Sequence, residues 1–292
     1  MRVRPGSYHP EVQQMESANS TDFLTATSVV RRAGTPGTFD SHLPPVWDTG
    51  EGIDGGILLA VAARATAAAT AVRAERFFPS SVSASFLTAS RPGPVRVRTD
   101  VIQRGSRFTT SQVSLTQRAE DDREIERMRA LVSHGTLASQ ASADTPLPPV
   151  ITPPSACVSR DDAPGGRAEH LGHLAGVDIR LTPECAGWAF GAPSRTGHFD
   201  GWFRLANGRE PDPLALLVAV RALPPISFAF GRVGWLPTVQ LTAHIRGYPA
   251  PGWLQVRTST KALRGDHVIE DAEVWDSAGE LVLQSRQFAA PV

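Results

Sequence analysis

Small apolar residues crowd into Gly55–Val72, GGILLAVAARATAAATAV, with a single charge, Arg64, inside the run. A helix that is apolar on every side is buried rather than laid on a surface. The run is long enough to resemble a membrane span, but its alanine content, its internal arginine and the strand-rich sequence around it favour a helix wrapped by a sheet. Asp212–Pro225, DPLALLVAVRALPP, repeats the pattern, with Arg221 where the first stretch has Arg64. Asp212 suits an N-cap and Pro213 the first helical position, and the helix is expected to end at Leu223-Pro224-Pro225.

Elsewhere the apolar positions alternate with polar ones, the period of half-buried strands. Phe23–Arg32 reads as a strand that turns at AGTPG into Thr38–Trp47, and the glycine-rich loop Asp48–Gly56 leads into the first helix, which Glu75–Pro79 closes. Ser81–Thr88, Val95–Gln103, Phe108–Gln117 and Ala130–Ala138 follow as strands, with Arg118–Arg129 as a polar hairpin excursion. Ser139–Gly165 is rich in Pro, Ser, Ala and Asp without either period, and reads as a linker. The pattern then restarts, with strands at Val177–Leu181, Gly197–Leu205, Pro237–Arg246, Trp253–Leu263, His267–Asp276 and Leu281–Phe288.

The two halves form a repeat. Gly37-Thr-Phe-Asp40 corresponds to Gly197-His-Phe-Asp200, while Gly55 with Asp212, Arg64 with Arg221, Ser81 with Thr238 and Pro92 with Pro249 all share the offset 157. One offset held over a helix, a strand and a turn indicates an internal duplication. The division that follows is a disordered tail over 1–20, a unit over 21–139, a linker over 140–168 and a second unit over 169–292.

Composition changes this picture little. With 41% hydrophobic and 20% charged residues the chain is of the soluble globular class, and a net charge of +0 gives no electrostatic reason to expect nucleic acid or an anionic membrane as partner. Lys261 is the sole lysine, a compositional bias towards arginine. Cys157 and Cys185 match no metal-ligand spacing and form no disulfide framework. The first twenty residues lack the apolar core of a signal peptide, so a cytoplasmic location is the expectation, and Met15 offers an alternative start. His134 and His244 lie on strands without a second ligand at metal spacing, and neither a GxSxG serine nor a nucleotide-binding glycine motif is present.

GGILLAVAARA followed by PSSVSASFLTASRPGPVRVRTDVIQRG, and in the second half DPLALL…ALPP, GWLPTVQLTAHIRG, PAPGWLQVRT and DAEVWDSAGELVLQSRQ, resemble the double hot-dog acyl-CoA thioesterases, from about Asp22 to the C-terminus. The resemblance implies a tandem hot-dog, each half a long central helix wrapped by a curved antiparallel sheet. It implies hydrolysis of an acyl-CoA to free acid and CoA with no metal or redox cofactor. Sheet edges of this kind also allow a homo-oligomer.

In that family an Asp–Thr–Gln set in the second hot-dog holds and activates the attacking water. The threonine falls on Thr238 and the glutamine on Gln287. The aspartate position, on the helix before Leu-Pro-Pro, is Arg221. An arginine stays protonated and cannot serve as a base, although it can stabilise an oxyanion or grip a phosphate. The departure leaves a non-catalytic acyl-CoA-binding or scaffold protein as the rival reading. An enoyl-CoA hydratase would need an Asp and a His at short spacing by the helix, and none is found. Gly55 and Gly56 head a helix N-terminus suited to a thioester oxygen or a phosphate, or else admit a close backbone. Asp54 before them reads as an N-cap, or as a carboxylate at the mouth of the first half's site that replaces the missing aspartate.

Overall fold

The computed structural model describes residues 22–70, 77–136, 147–164, 175–234 and 236–291. The tail expected over 1–20, the last residues of the first predicted helix with Glu75, and much of the predicted linker lie outside these ranges. The first half runs α1 (Phe23–Ala26), β1 (Val30–Arg31), β2 (Thr38–Leu43), α2 (Gly55–Thr70), β3 (Phe77–Phe86), β4 (Gly93–Arg104), β5 (Phe108–Arg118) and β6 (Glu124–Thr136). The second runs β7 (Val177–Leu181), α3 (Pro183–Ala186), β8 (His198–Leu205), α4 (Pro213–Ala219), β9 (Thr238–Ile245), β10 (Leu254–Ser259), β11 (Leu263–Arg264), β12 (His267–Trp275) and β13 (Leu281–Ala289).

These strands make one antiparallel sheet in the order β1-β2-β4-β5-β6-β3-β9-β13-β12-β10-β8-β7, with β11 paired to β12 beside this path. The order is palindromic once each strand is replaced by its counterpart in the other half. The halves join where β3 pairs with β9, and there Ala84 stands opposite Leu241. Since 241 − 84 is again 157, that pair lies on the local two-fold axis of the duplication. Outward from it the register continues through Ala130 to Val113 on one side and through Gln287 to Glu270 on the other. Ala130 and Gln287, and likewise Val113 and Glu270, are counterparts at the same offset.

Every residue of α2 from Gly55 to Ala63 is buried, which accounts for its apolar character on all sides: α2 packs on strands β3 to β6 and on α4. The approach of α2 to α4 is close. A Cβ built on Gly56 would stand 2.5 Å from the Leu217 carbonyl oxygen and 2.6 Å from Val218 Cα, so only a hydrogen fits there.

Several predicted elements change. The second helix is not long: α4 has seven residues, capped by Asp212, whose carboxylate accepts from Leu214 N and Ala215 N. Beyond α4 the chain tightens into i−3 bonds from Arg221 N to the Val218 carbonyl and from Ala222 N to the Ala219 carbonyl, and Pro224 bars any helix from running on, since its ring would clash with the Val220 carbonyl. Arg221 consequently lies beyond the helix in the turn that follows. At the N-terminal end, Phe23–Ala26 is a helical turn rather than a strand, since the Asp22 carboxylate accepts from Thr25 N at 2.9 Å and Thr27 Oγ1 donates back to the Phe23 carbonyl. Phe77–Pro79 belongs to β3 rather than to a helix end. The expected polar hairpin shrinks to a turn over 119–123, because β6 starts at Glu124. Trp253–Leu263 breaks into β10 and β11.

The described part of the predicted linker is attached to the second half. Trp202 Nε1 donates to the Thr152 carbonyl and Gln255 Nε2 to the Pro149 carbonyl, both at 2.8 Å, while Val158 bridges Leu181. Among the described residues no helix is long and apolar enough to cross a membrane.

The crossing yields a stability test. Gly56→Val should lower the unfolding free energy by about 1–3 kcal/mol, the range for overpacking, as read from the urea midpoint. Gly247→Ala, where an added Cβ meets nothing within 4 Å, should stay within about 0.5 kcal/mol of wild type.

Candidate active site

The helix crossing carries Asp54, at the head of α2, towards the turn that follows α4. Asp54 caps α2, accepting from Gly56 N at 2.8 Å. Its other oxygen faces Arg221 Nε at 3.8 Å, with both side chains largely buried. Gly55 adjoins the same group, since a Cβ there would stand 3.1 Å from Arg221 Nε and 3.0 Å from the Phe86 ring. Asp54, the cap of the first-half helix, therefore stands beside Arg221 of the second half. Of the two readings of Gly56, the helix crossing accounts for it, and its N–H is already given to Asp54.

Arg221 Nη1 donates to Thr238 Oγ1 at 2.5 Å and to Gln287 Oε1 at 2.8 Å. Thr238 Oγ1 in turn donates to Gln287 Oε1 at 2.8 Å. The chain of donors fixes the Gln287 amide, whose nitrogen is left to donate to Glu270 Oε1 at 2.7 Å. Accepting from that nitrogen, Glu270 keeps the amide oxygen turned towards Thr238 and Arg221. The second Glu270 oxygen accepts from Ile226 N at 3.0 Å.

Glu270 is not among the residues that the sequence reading singles out, although a signal exists. In β12 the buried positions include Val268, Glu270, Ala272 and Val274, so a carboxylate sits on the apolar phase of an alternating strand. Burial pushes its pKa up to about 7, against the opposing pull of its hydrogen bond from Ile226 and of the Arg221 charge.

These groups line a cavity of about 540 Å³ whose wall includes Asp54, Arg221, Thr238, Glu270 and Gln287 together with apolar Ile179, Leu223, Phe228, Leu236 and Val268. A second cavity of about 200 Å³ shares Asp54, Arg221 and Thr238 and opens along Phe86–Ser90. Of the six residues singled out from the sequence, Asp54, Gly55, Arg221, Thr238 and Gln287 line these two cavities, while Gly56 lies at the helix crossing behind Asp54.

The duplicated counterpart is not a second copy of this site. Arg64 stands at the position of Arg221 and donates to Thr27 Oγ1 at 2.9 Å; burial holds its pKa down, opposed by the charge of Asp212, the cap of α4. Each helix-capping aspartate therefore lies near the arginine of the other half. The counterparts of Gln287 and Glu270, however, are Ala130 and Val113, both buried, and the first half lacks the polar row.

Of the two strand histidines, His134 is buried, its pKa pushed down to about 4, and His244 is exposed. Cys185, His198 and Asp200 offer potential metal-ligand atoms within 4.8 Å of one another. Both Asp200 oxygens nevertheless accept from Arg257 at 2.7 Å, and that guanidinium already supplies the positive charge.

The chain matches the family model for the acyl-CoA thioesterase N-terminal domain over residues 43–135 and that for the C-terminal domain over residues 154–290. It is 32% identical to uncharacterized proteins of Mycobacterium bovis and Mycobacterium tuberculosis, over 91% of this chain and 97% of theirs. Among solved structures it is similar to a candidate thioesterase II from Thermobifida fusca, with TM-score 0.78 and 32% identity over 92% of this chain and 96% of that one. A hot-dog protein of unknown function from Alicyclobacillus acidocaldarius aligns with TM-score 0.76 and 17% identity over 92% and 98% of the two chains, a likeness of fold. With both domain models matched in order across one continuous antiparallel sheet, the chain belongs to the acyl-CoA thioesterase family.

Proposed function

We propose that the protein is a double hot-dog acyl-CoA thioesterase, with units over 21–139 and 169–292, that hydrolyses its substrate to free acid and CoA. The observation that carries this reading is the meeting of a first-half carboxylate, Asp54, with the second-half donors Arg221, Thr238 and Gln287 on one partly apolar cavity. Family membership supports the reaction class.

Thioester hydrolysis requires a polarised water and donors for the developing oxyanion. Arg221 is the oxyanion donor. Its guanidinium forms part of the cavity wall, and a thioester oxygen seated against it meets a fixed positive charge as negative charge grows. Asp54 is the base. It accepts the proton of a water that attacks the carbonyl carbon, and the proton leaves on the thiol of CoA as the carbon–sulfur bond breaks. The carboxylate thus comes from the other half of the duplication. Gln287 and Glu270 hold Thr238 and Arg221 in place.

A rival reading, binding of acyl-CoA without turnover, is favoured by one detail. Arg221 Nη1 bridges Thr238 Oγ1 and Gln287 Oε1, the two groups that would otherwise hold the water. Release of free thiol from a panel of acyl-CoAs of different chain lengths separates the readings. The hydrolase reading expects turnover at one or more lengths; saturable binding with no thiol released at any length establishes the rival.

Two substitutions refine the test. Asp54→Asn should lower kcat by about 10²–10⁴-fold, the usual contribution of a general base, and Arg221→Ala by about 10²–10³-fold, as for a lost oxyanion donor. A rise in activity in Arg221→Asp would instead mark the present arginine as a block. Glu270 adds a pH dependence. Its pKa is raised in the folded protein, so the folded state holds the proton more tightly than the unfolded chain. The associated stability is present below pH of about 4.5 and is lost as pH rises towards about 7. Wild-type Tm should therefore fall across that window more steeply than the Tm of Glu270→Gln.

A further inference from the structure

The first half carries an arginine-rich cleft of about 430 Å³ between the start of β4, the ends of β5 and β6 and the turn after β3, where five arginines stand against two acids, Asp40 and Glu124. Three of the five are neutralised. Arg32 pairs with Asp40 at 3.1 Å, Arg96 with Glu124 at 2.7 Å, and Arg118 with Asp122. Arg91 and Arg127 form no ion pair with a carboxylate among the described residues.

Gln117 ties the Arg127 side chain to the backbone of Arg91. Buried Gln117 accepts from Arg91 N at 3.0 Å and from Arg127 Nε at 3.1 Å through one oxygen, and returns its amide N–H to the Arg91 carbonyl at 2.7 Å. The cost of two neighbouring guanidiniums appears in Arg127, whose pKa is lowered by burial and by the Arg91 charge. A cleft lined by two guanidiniums that lack a carboxylate partner is suited to a multiply charged anion, and guanidiniums match phosphate oxygens in geometry.

Position relates this pair to the reacting end. Arg127 Nη1 donates to Thr88 Oγ1 at 3.2 Å, and Thr88 belongs to the Phe86–Ser90 segment that walls the 200 Å³ cavity containing Arg221 and Thr238. Arg127 therefore spans from the cleft to the edge of the reaction cavity. We propose that Arg91 and Arg127 bind the phosphates at the nucleotide end of CoA, with the pantetheine arm lying over Phe86–Ser90 and the thioester at Arg221. This placement rests on the thioesterase reading for the identity of the ligand. It assigns the specificity for CoA to the first half, whose own helix arginine faces no polar row, and the chemistry to the second.

The test compares two substrates with the same acyl group, one on CoA and one on N-acetylcysteamine, which lacks phosphates. Binding of adenosine 3′,5′-bisphosphate is measured separately by calorimetry. In Arg91→Glu combined with Arg127→Gln, KM for the acyl-CoA should rise by about tenfold or more, equivalent to about 1.4 kcal/mol, with kcat largely retained. Turnover of the N-acetylcysteamine ester should be unchanged, and bisphosphate binding should be lost. Arg118→Ala, in the same cleft but removing an arginine already paired with Asp122, should alter none of these. Unchanged Tm in the variants keeps the comparison free of folding effects.

Equal KM for acyl-CoA in wild type and double variant overturns the site while leaving the hydrolase reading intact. Bisphosphate binding that depends on both arginines, in a protein that turns over neither ester, supports the site while removing the hydrolase. If the arginines affect only thioesters of an acidic carrier protein and the bisphosphate does not bind, the assignment to CoA is overturned.

Discussion

The backbone contact between α2 and α4 at Gly56 is the constraint from which the site follows. Without a side chain at Gly56 the head of α2 lies against Leu217 and Val218, and this brings Asp54 of one half within reach of Arg221 of the other. A Cβ at Gly56 would meet the Leu217 carbonyl, Val218 Cα and the Asp54 carboxylate itself, so a bulkier residue there disturbs the pairing directly. The early end of α4 is the second half of the same constraint. The helix ends at Ala219 and Pro224 bars its continuation, so Arg221 sits on a turn that aims its guanidinium at both Asp54 and the β9–β13–β12 surface.

The duplication explains why a site of this kind draws on both halves. Along the row through Ala84 and Leu241 the sheet is symmetric in backbone and asymmetric in chemistry: Gln287 and Glu270 on one side, Ala130 and Val113 on the other. In the first half the two counterpart positions are apolar and buried, so they ask for no hydrogen-bond partner. Keeping polar groups in the second yields a connected set in which Glu270, Gln287, Thr238 and Arg221 each satisfy the next. Low local polarity then makes every charge in the set count for more than in water.

Much of this organisation is legible in the residues. The apolar helix, the alternating strands, the 157-residue offset and the resemblance carried by Thr238 and Gln287 are all local patterns, set by periods of burial that the chain repeats. Phe23–Ala26 departs from its strand-like composition because a capping aspartate outweighs β-branched neighbours. The second helix is shorter than its apolar run, which continues past the point where a proline ring forbids the helix.

Glu270 lies outside the positions that the resemblance implies, and its signal is carried only by the phase of β12. The sequence by itself determined most of the strands, the first central helix, the duplication and the family, since each depends on spacing along the chain. Only the tertiary structure decided that Asp54 meets Arg221 of the other half, and that Glu270 accepts from Gln287. Those contacts join residues 167 and 17 positions apart, across a helix crossing and a strand pair whose closeness no local period encodes.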